Sequence, residues 1–177
     1  MRKFLGGAIA VLLLATATFA APAAKPKATG DADWINSPGS YNQQANTTFN
    51  AININSTGVD AKGSAIYTDP NITYTMDVQF LKVIGNKAWF AGQVTSVTVT
   101  GTNPGCCALG NWIFYKVADN GEPGINADQV WGEDLTAGEG ITASNWVKGI
   151  VAAAGTINEA TPAGGPFVLN GGNLQVH

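Results

Sequence analysis

The chain is short of the residues on which most catalytic chemistry rests. It has one histidine, His177, and two cysteines, Cys106 and Cys107, among 177 residues. With its only imidazole at the last position, neither a Ser/His/Asp nor a Cys/His scheme has a well-placed base. No His/Cys cluster with the spacing of a zinc site is present. Charged residues amount to 12% of the chain, and its 9 Lys and Arg are scattered. That leaves no basic footprint for phosphates, so nucleic acid is not an expected partner. Walker-type and Rossmann glycine motifs are missing. Beyond the N-terminus no apolar run approaches the ~20 residues of a membrane-spanning helix.

What the chain does have is glycine, 22 residues of it, together with many Thr and Asn. Low charge with this composition suggests a β-rich extracellular protein. Residues 1–20 read as a secretory signal peptide. Arg2 and Lys3 form the charged end, residues 5–14 the apolar stretch, and Thr18-Phe19-Ala20 the small-x-small cleavage site. The expected location is secreted, extracellular or periplasmic, with no membrane span left after cleavage. Residues 21–30 (APAAKPKATG) read as a flexible linker, and residues 31–177 as a single β domain.

The clearest local signal is residues 76–100, MDVQFLKVIGNKAWFAGQVTSVTVT. Two extended runs flank Gly85-Asn86, a pair suited to a two-residue hairpin turn because strand twist demands positive φ there. Side chains alternate across a strand. Ala88, Phe90, Gly92 and Val94 therefore share one face, and Trp89, Ala91 and Gln93 the other. On the preceding strand Val78, Phe80 and Lys82 form one set, Gln79, Leu81 and Val83 the other. Ile113, Tyr115 and Val117 likewise oppose Trp112, Phe114 and Lys116. Further strands are expected at residues 31–36, 47–55, 59–69, 111–118 and 128–135. A closing hairpin is expected at residues 167–177, turning at Gly171-Gly172. About eight antiparallel strands with short links predict an all-β meander. A closed or nearly closed barrel removes exposed edges; a two-sheet sandwich is the alternative. An insertion, residues 136–166, breaks the pattern. Within it residues 144–155 predict a short helix, with Ser144 as N-cap, Gly155 past the C-terminus, and Trp146, Ile150 and Ala154 on one face beside Val147 and Val151.

Three stretches, VIGNKAWFAGQV, VADNGEPG followed by Asp128, and the terminal GGNLQVH, carry a resemblance. Together they resemble a family of small secreted bacterial β domains in which a D-N-G-E-P-G turn and a closing G-G-N-aliphatic-Q-aliphatic-H strand recur. The similarity runs over residues 47–177, and residues 136–166 and the cysteine loop are longer than the usual pattern. The family has no established activity. The resemblance implies secretion and an all-β fold and supplies no catalytic residues.

Three constellations are candidate sites. Asp119, Asn120, Glu122 and Asp128 place oxygen donors in a Gly-rich turn, which suits Ca²⁺; the competing reading is a turn whose side chains bond the local backbone. Cys106 and Cys107 are adjacent, and an oxidising compartment would favour a vicinal disulfide with a structural purpose. Free thiols or bridges to another chain are the alternatives. Trp89, Trp112 and Trp131 fall opposite the inferred core face of sequential strands. They would form an outward aromatic row for sugars, unless the insertion covers them as a satellite core joined by Trp146. A pair of acids for glycoside hydrolysis could be drawn only from Glu133, Asp134 and Glu139, whose spacing does not distinguish them from surface acids.

The sequence therefore predicts a secreted, non-catalytic structural or binding module that needs no cofactor, or at most calcium. A carbohydrate-binding module and a small extracellular hydrolase with paired carboxylates are the alternatives. An extracellular polysaccharide or a surface protein would be the partner.

Overall fold

In the computed structural model, which describes residues 23–36, 43–102, 106–121, 128–135, 144–155 and 164–177, the chain forms a closed eight-stranded barrel. The strands are β1 (Lys27–Asn36), β2 (Gln43–Asn53), β3 (Asp60–Thr68), β4 (Ile72–Ile84), β5 (Lys87–Val99), β6 (Trp112–Ala118), β7 (Gln129–Leu135) and β8 (Gly164–Val176). Each pairs antiparallel with its sequence neighbour, and β8 returns to pair with β1. One helix, α1 (Ser144–Ala153), lies between β7 and β8.

The β4–β5 hairpin turns as the sequence predicts. Ile84 faces Lys87 across a two-residue tip, and Gly85 has φ 59°. Glycine at the first central position with positive φ is the type II′ solution, which matches the right-handed twist of the flanking strands. β6, and β5 as far as Val94, also follow strict alternation. Ala88, Phe90, Val94, Ile113, Tyr115 and Val117 belong to the interior cluster, whereas Trp89, Ala91, Trp112 and Phe114 lie outside it.

β4 departs from that simple alternation. Its pairing with β5 shifts between Val78 and Phe80. The extra residue of such a bulge exchanges the faces of everything beyond it. Val78 and Leu81 therefore both point inward, and Phe80 joins the outer cluster. Two other expectations are corrected. β1 begins at Lys27 rather than at residue 31, because the residues it turns inward are the small Ala28, Gly30 and Ala32, which carry no apolar signal. Residues 167–177 are not a hairpin but part of one continuous strand. Gly171 and Gly172 sit beside a register shift in the β1–β8 seam, and Gly172 has φ 84°. A Cβ at Gly172 would stand 1.9 Å from the Asp31 carbonyl oxygen, so the glycine permits closure where it was expected to permit a turn.

The interior packs small against large. β1, β2 and β3 contribute Ala28, Ala32, Ala45, Ala51, Ala61 and Ala65, and the facing strands contribute Tyr74, Met76, Phe90 and Tyr115. Phe90 stacks on Phe49 at 4.9 Å and on Tyr115 at 5.3 Å between ring centroids. At Gly30 a Cβ would come within 2.6 Å of Leu174 and 2.8 Å of Phe49. The missing side chain leaves room for both.

A second, smaller cluster lies on the outside of β4, β5 and β6, beneath α1. Val147, Val151 and Ala154 of the helix region are fully buried there against Phe80, Trp89, Trp112 and Phe114. Of the expected face, Ala154 is buried and Ile150 packs against the cluster, with Val147 and Val151 at its centre. Trp146 is 38% exposed, so it does not join the covered aromatics. Lys82 of β4 donates from Nζ to the Ala152 and Ala154 carbonyls, both at 2.6 Å. A cation on the last carbonyls satisfies groups the helix leaves unpaired and complements its dipole. The exposed Lys148–Asp60 ion pair at 2.6 Å adds little, since such pairs are worth at most about 1 kcal/mol.

Replacing Val151 by Asp puts an unpaired charge against Trp89, at a cost of roughly 2–4 kcal/mol. The expected outcome is that α1 detaches while the barrel persists: tryptophan emission shifts to the red and quencher access rises, with the far-UV β signal retained. Unchanged emission from a stable variant would show that the helix does not cover the indoles.

Candidate functional site

An up-and-down barrel gathers alternate connections at the same end. The distal ends of β1, β3, β5 and β7 therefore converge with the β3–β4 turn and the segment leading into β6. There the barrel opens into a cavity of about 280 Å³. Its walls are aromatic: Trp34, Tyr67, Tyr74, Tyr115 and Phe167. Its rim carries Asp69, Glu133, Asp134 and the two cysteines, and no basic side chain among the described residues lines it.

Each wall residue has a local reason to be there. Tyr67, Tyr74 and Tyr115 fall on the inward parity of β3, β4 and β6 near their mouth ends. Tyr67 and Tyr74 stack at 5.0 Å, and Trp34 stacks on Phe167 at 6.1 Å. The Tyr74 and Tyr115 hydroxyls share a short hydrogen bond in the buried interior. The Tyr67 hydroxyl donates to Asp69 Oδ2 at 2.8 Å. Asp69 Oδ1 accepts from the Asn71 and Ile72 amides at 2.7 and 2.9 Å, so one carboxylate builds the Asp-Pro-Asn turn and anchors a wall tyrosine. Gly132 of β7 stands opposite Tyr115, and a Cβ there would lie 2.9 Å from the ring. Trp34 is 3% exposed, and its buried indole Nε1 has no hydrogen-bond partner among the described residues, at a cost of about 1–3 kcal/mol.

The cysteines are free thiols with their sulfurs 2.7 Å apart, not the bridged pair expected from the sequence. Cys107 has φ 61°, a left-handed conformation uncommon for a residue with a Cβ. In extended backbone neighbouring side chains diverge, and this rotation turns both sulfurs to one side. The Cys107 amide donates to Asp134 Oδ2 at 2.6 Å, and Asn111 Nδ2 approaches both Asp134 oxygens at 3.3 Å. The Cys107 thiol donates to Cys106 sulfur. That hydrogen bond, against the opposing effect of burial, pulls the Cys106 thiol below its ordinary range. The same bond, with burial and the neighbouring carboxylates, pushes Cys107 far up.

The other expected sites are placed as follows. Trp89, Trp112 and Trp131 are 1%, 3% and 9% exposed. Trp89 and Trp112 lie under α1, and Lys116 Nζ sits over Trp131 at 4.5 Å and over Trp89 at 5.4 Å. The row is outward by strand parity, as expected, but it is covered and offers no stacking surface. Asp119, Asn120 and Asp128 stand at the opposite end of the barrel. Asp119 accepts the Gly121 and Val176 amides at 3.1 and 3.2 Å, and Asp128 accepts the Asn120 and Leu174 amides at 2.8 and 3.4 Å. Asn120 Oδ1 accepts from Asn86 at 2.9 Å. These oxygens tie the β6–β7 connection to β8 and to the β4–β5 tip, which is the turn-building role. Glu122 and Glu139 lie outside the described residues. Glu133 and Asp134 are consecutive on β7, so their side chains diverge across the strand.

The sequence reading did not single out the aromatic wall. Its signal was available: three tyrosines on inward parity are polar-tipped rings aimed at a core. Comparison with protein-family models, with curated protein sequences and with solved structures finds no match to this chain.

Burial raises the phenols of Tyr67, Tyr74 and Tyr115 above their ordinary value of 10.0; Asp69 adds to it at Tyr67, and the Tyr115 hydroxyl at Tyr74. A raised phenol binds its proton more tightly folded than unfolded. The stability it contributes is complete below about pH 10 and is lost as pH rises above that value. Alkaline titration is expected to show these tyrosines ionising together with loss of near-UV dichroism. Ionisation near pH 10 with tertiary structure intact would place the phenols in solvent.

Proposed function

We propose that this protein is a secreted, non-catalytic binding module that takes a small, neutral or cationic ring-bearing molecule into the mouth of its barrel. The observation that carries the reading is the mouth cavity itself, walled by Trp34, Tyr67, Tyr74, Tyr115 and Phe167. Pockets for small molecules are concave, mostly apolar and equipped with a few placed polar groups. A dry cavity of about 150 Å³ accepts benzene, so about 280 Å³ suits a ring with substituents. Eight strands are the size at which a barrel either fills or holds one small ligand.

The charge of the mouth selects among ligands. Asp69 and Asp134 line it, and among the described residues no Lys, Arg or His does, so a carboxylate or phosphate would enter against like charge. The ring would lie among Trp34, Phe167 and the tyrosines. Secretion is supported by the n-region, apolar stretch and cleavage site at residues 1–20. The carbohydrate alternative depended on an exposed tryptophan row, and the burial of Trp89 and Trp112 removes its support.

The test is a ¹H–¹⁵N titration of the mature protein with neutral, cationic and anionic aromatic fragments: 4-hydroxyacetophenone, benzylamine and benzoate. The Trp34 indole resonance is expected to move with 4-hydroxyacetophenone, and mouth resonances with benzylamine, but neither with benzoate. Trp34→Ala removes one ring from the wall. It should weaken acetophenone binding about tenfold, about 1.4 kcal/mol, the scale of one aromatic pair. If no fragment moves a mouth resonance, or if benzoate binds as well as the others, the reading fails.

A further inference from the structure

We propose that Cys106, Cys107 and Asp134 form a binding site for a thiophilic divalent cation of the Zn²⁺ class, with the remaining coordination position open to the barrel-mouth cavity. Two thiol sulfurs and a carboxylate oxygen lie within 4.8 Å of one another, and the three residues come from two distant segments. All three line the cavity. The donors match the ion. Thiolates select Zn²⁺ and its relatives over Ca²⁺ and Mg²⁺, which take oxygen ligands. Three protein ligands with a fourth position left for water or substrate is the arrangement of open zinc sites, whereas structural zinc is enclosed by four.

The local structure is prepared for this role in three respects. First, the left-handed turn at Cys107 (φ 61°) brings the two sulfurs to one side, and backbone of that kind persists where the surrounding structure holds it. Second, Asp134 is already oriented. Its Oδ2 is held by the Cys107 amide at 2.6 Å, and among the described residues Oδ1 has only the long Asn111 contact at 3.3 Å, which leaves that oxygen available. Bonds of this sort from the surrounding residues fix a ligating carboxylate. Third, the adjustment required is small. With Zn–S near 2.3 Å and tetrahedral angles, the sulfurs must stand about 3.8 Å apart. Rotation about the two Cα–Cβ bonds supplies the change of about 1 Å from the observed 2.7 Å. On binding, each thiol that ligates gives up its proton to solvent, and the ion is bound without change of oxidation state.

The ion site opens on the proposed ring-binding cavity but does not depend on a ligand there, since the ion can bind with the cavity empty. Its presence would give the cavity a Lewis-acidic end facing the aromatic wall.

The experiment is an anaerobic Co²⁺ titration of the reduced mature protein, with Co²⁺ as the spectroscopic stand-in for Zn²⁺. The expected result is one Co²⁺ per chain, with intense visible bands of tetrahedral cobalt and a sulfur-to-cobalt charge-transfer band, both removed by added Zn²⁺. Cys106→Ser and Cys107→Ser should each lose most of the charge-transfer intensity. Asp134→Asn retains an oxygen for the Cys107 amide, so its fold should persist by circular dichroism, and it should bind Co²⁺ at least tenfold more weakly. A reduced wild-type protein that gives no cobalt–sulfur band overturns the proposal. So does an Asp134→Asn variant that binds as tightly as wild type, because the ion would then be held by the thiols alone. A Cys106–Cys107 bridge that resists reduction in the folded protein overturns it as well.

Discussion

Closure of β8 onto β1 is the constraint on which the rest of this molecule depends. A meander of eight strands leaves two edges, each a row of unpaired amides and carbonyls, unless the first and last strands meet. Here they meet along residues 28–34 of β1 and residues 169–176 of β8. The seam can form because its side chains are small where the interior is narrow. Gly30 yields to Phe49 and Leu174, and Gly172 lets β8 pass against the Asp31 carbonyl. Ala28 and Ala32 complete an alanine-lined wall that receives the aromatic side chains of β4, β5 and β6. The taper decides where space remains. In the middle the rings fill the barrel, and at the mouth they line it.

The two ends of the barrel are chemically distinct, and the difference organises the function. At one end Asp119 and Asp128 turn their carboxylates onto backbone amides and join the β6–β7 connection to β8. Acids used in this way close a structure. At the other end Asp69 and Asp134 also accept amides, but they do so beside a cavity that holds two thiols, three phenols and an indole. The helix contributes to neither end. It covers the outer aromatics of β4, β5 and β6, and Lys82 secures it by its last carbonyls.

Much of this fold was legible in the sequence because burial on one side of a strand writes itself as alternation. The β4–β5 hairpin, the two faces of β6 and the existence of α1 all follow from periodicity and turn chemistry. The failures have a shared cause: a small residue carries no hydrophobic signal. Ala28 and Gly30 made the start of the first strand look like linker, and Gly171-Gly172 looked like a turn when it eases a seam. The bulge after Val78 was illegible for another reason. One extra residue reverses the face of Phe80 and Leu81, and nothing in their identities announces it. The mouth was harder still. Asp134 reaches the cysteines only because β6 and β7 pair in a register that sets it opposite Ile113, 27 residues along the chain from Cys107.

The most direct test of this account is native-state hydrogen exchange along the closing seam. Amides of residues 28–32 and 173–176 should exchange as slowly as those of the β4–β5 hairpin, with the same opening free energy, because a closed barrel unfolds as one cooperative unit. Seam amides that exchange far faster while β4 and β5 remain protected would contradict it. The protein would then be an open sheet, and the cavity at its mouth would not be an enclosed site.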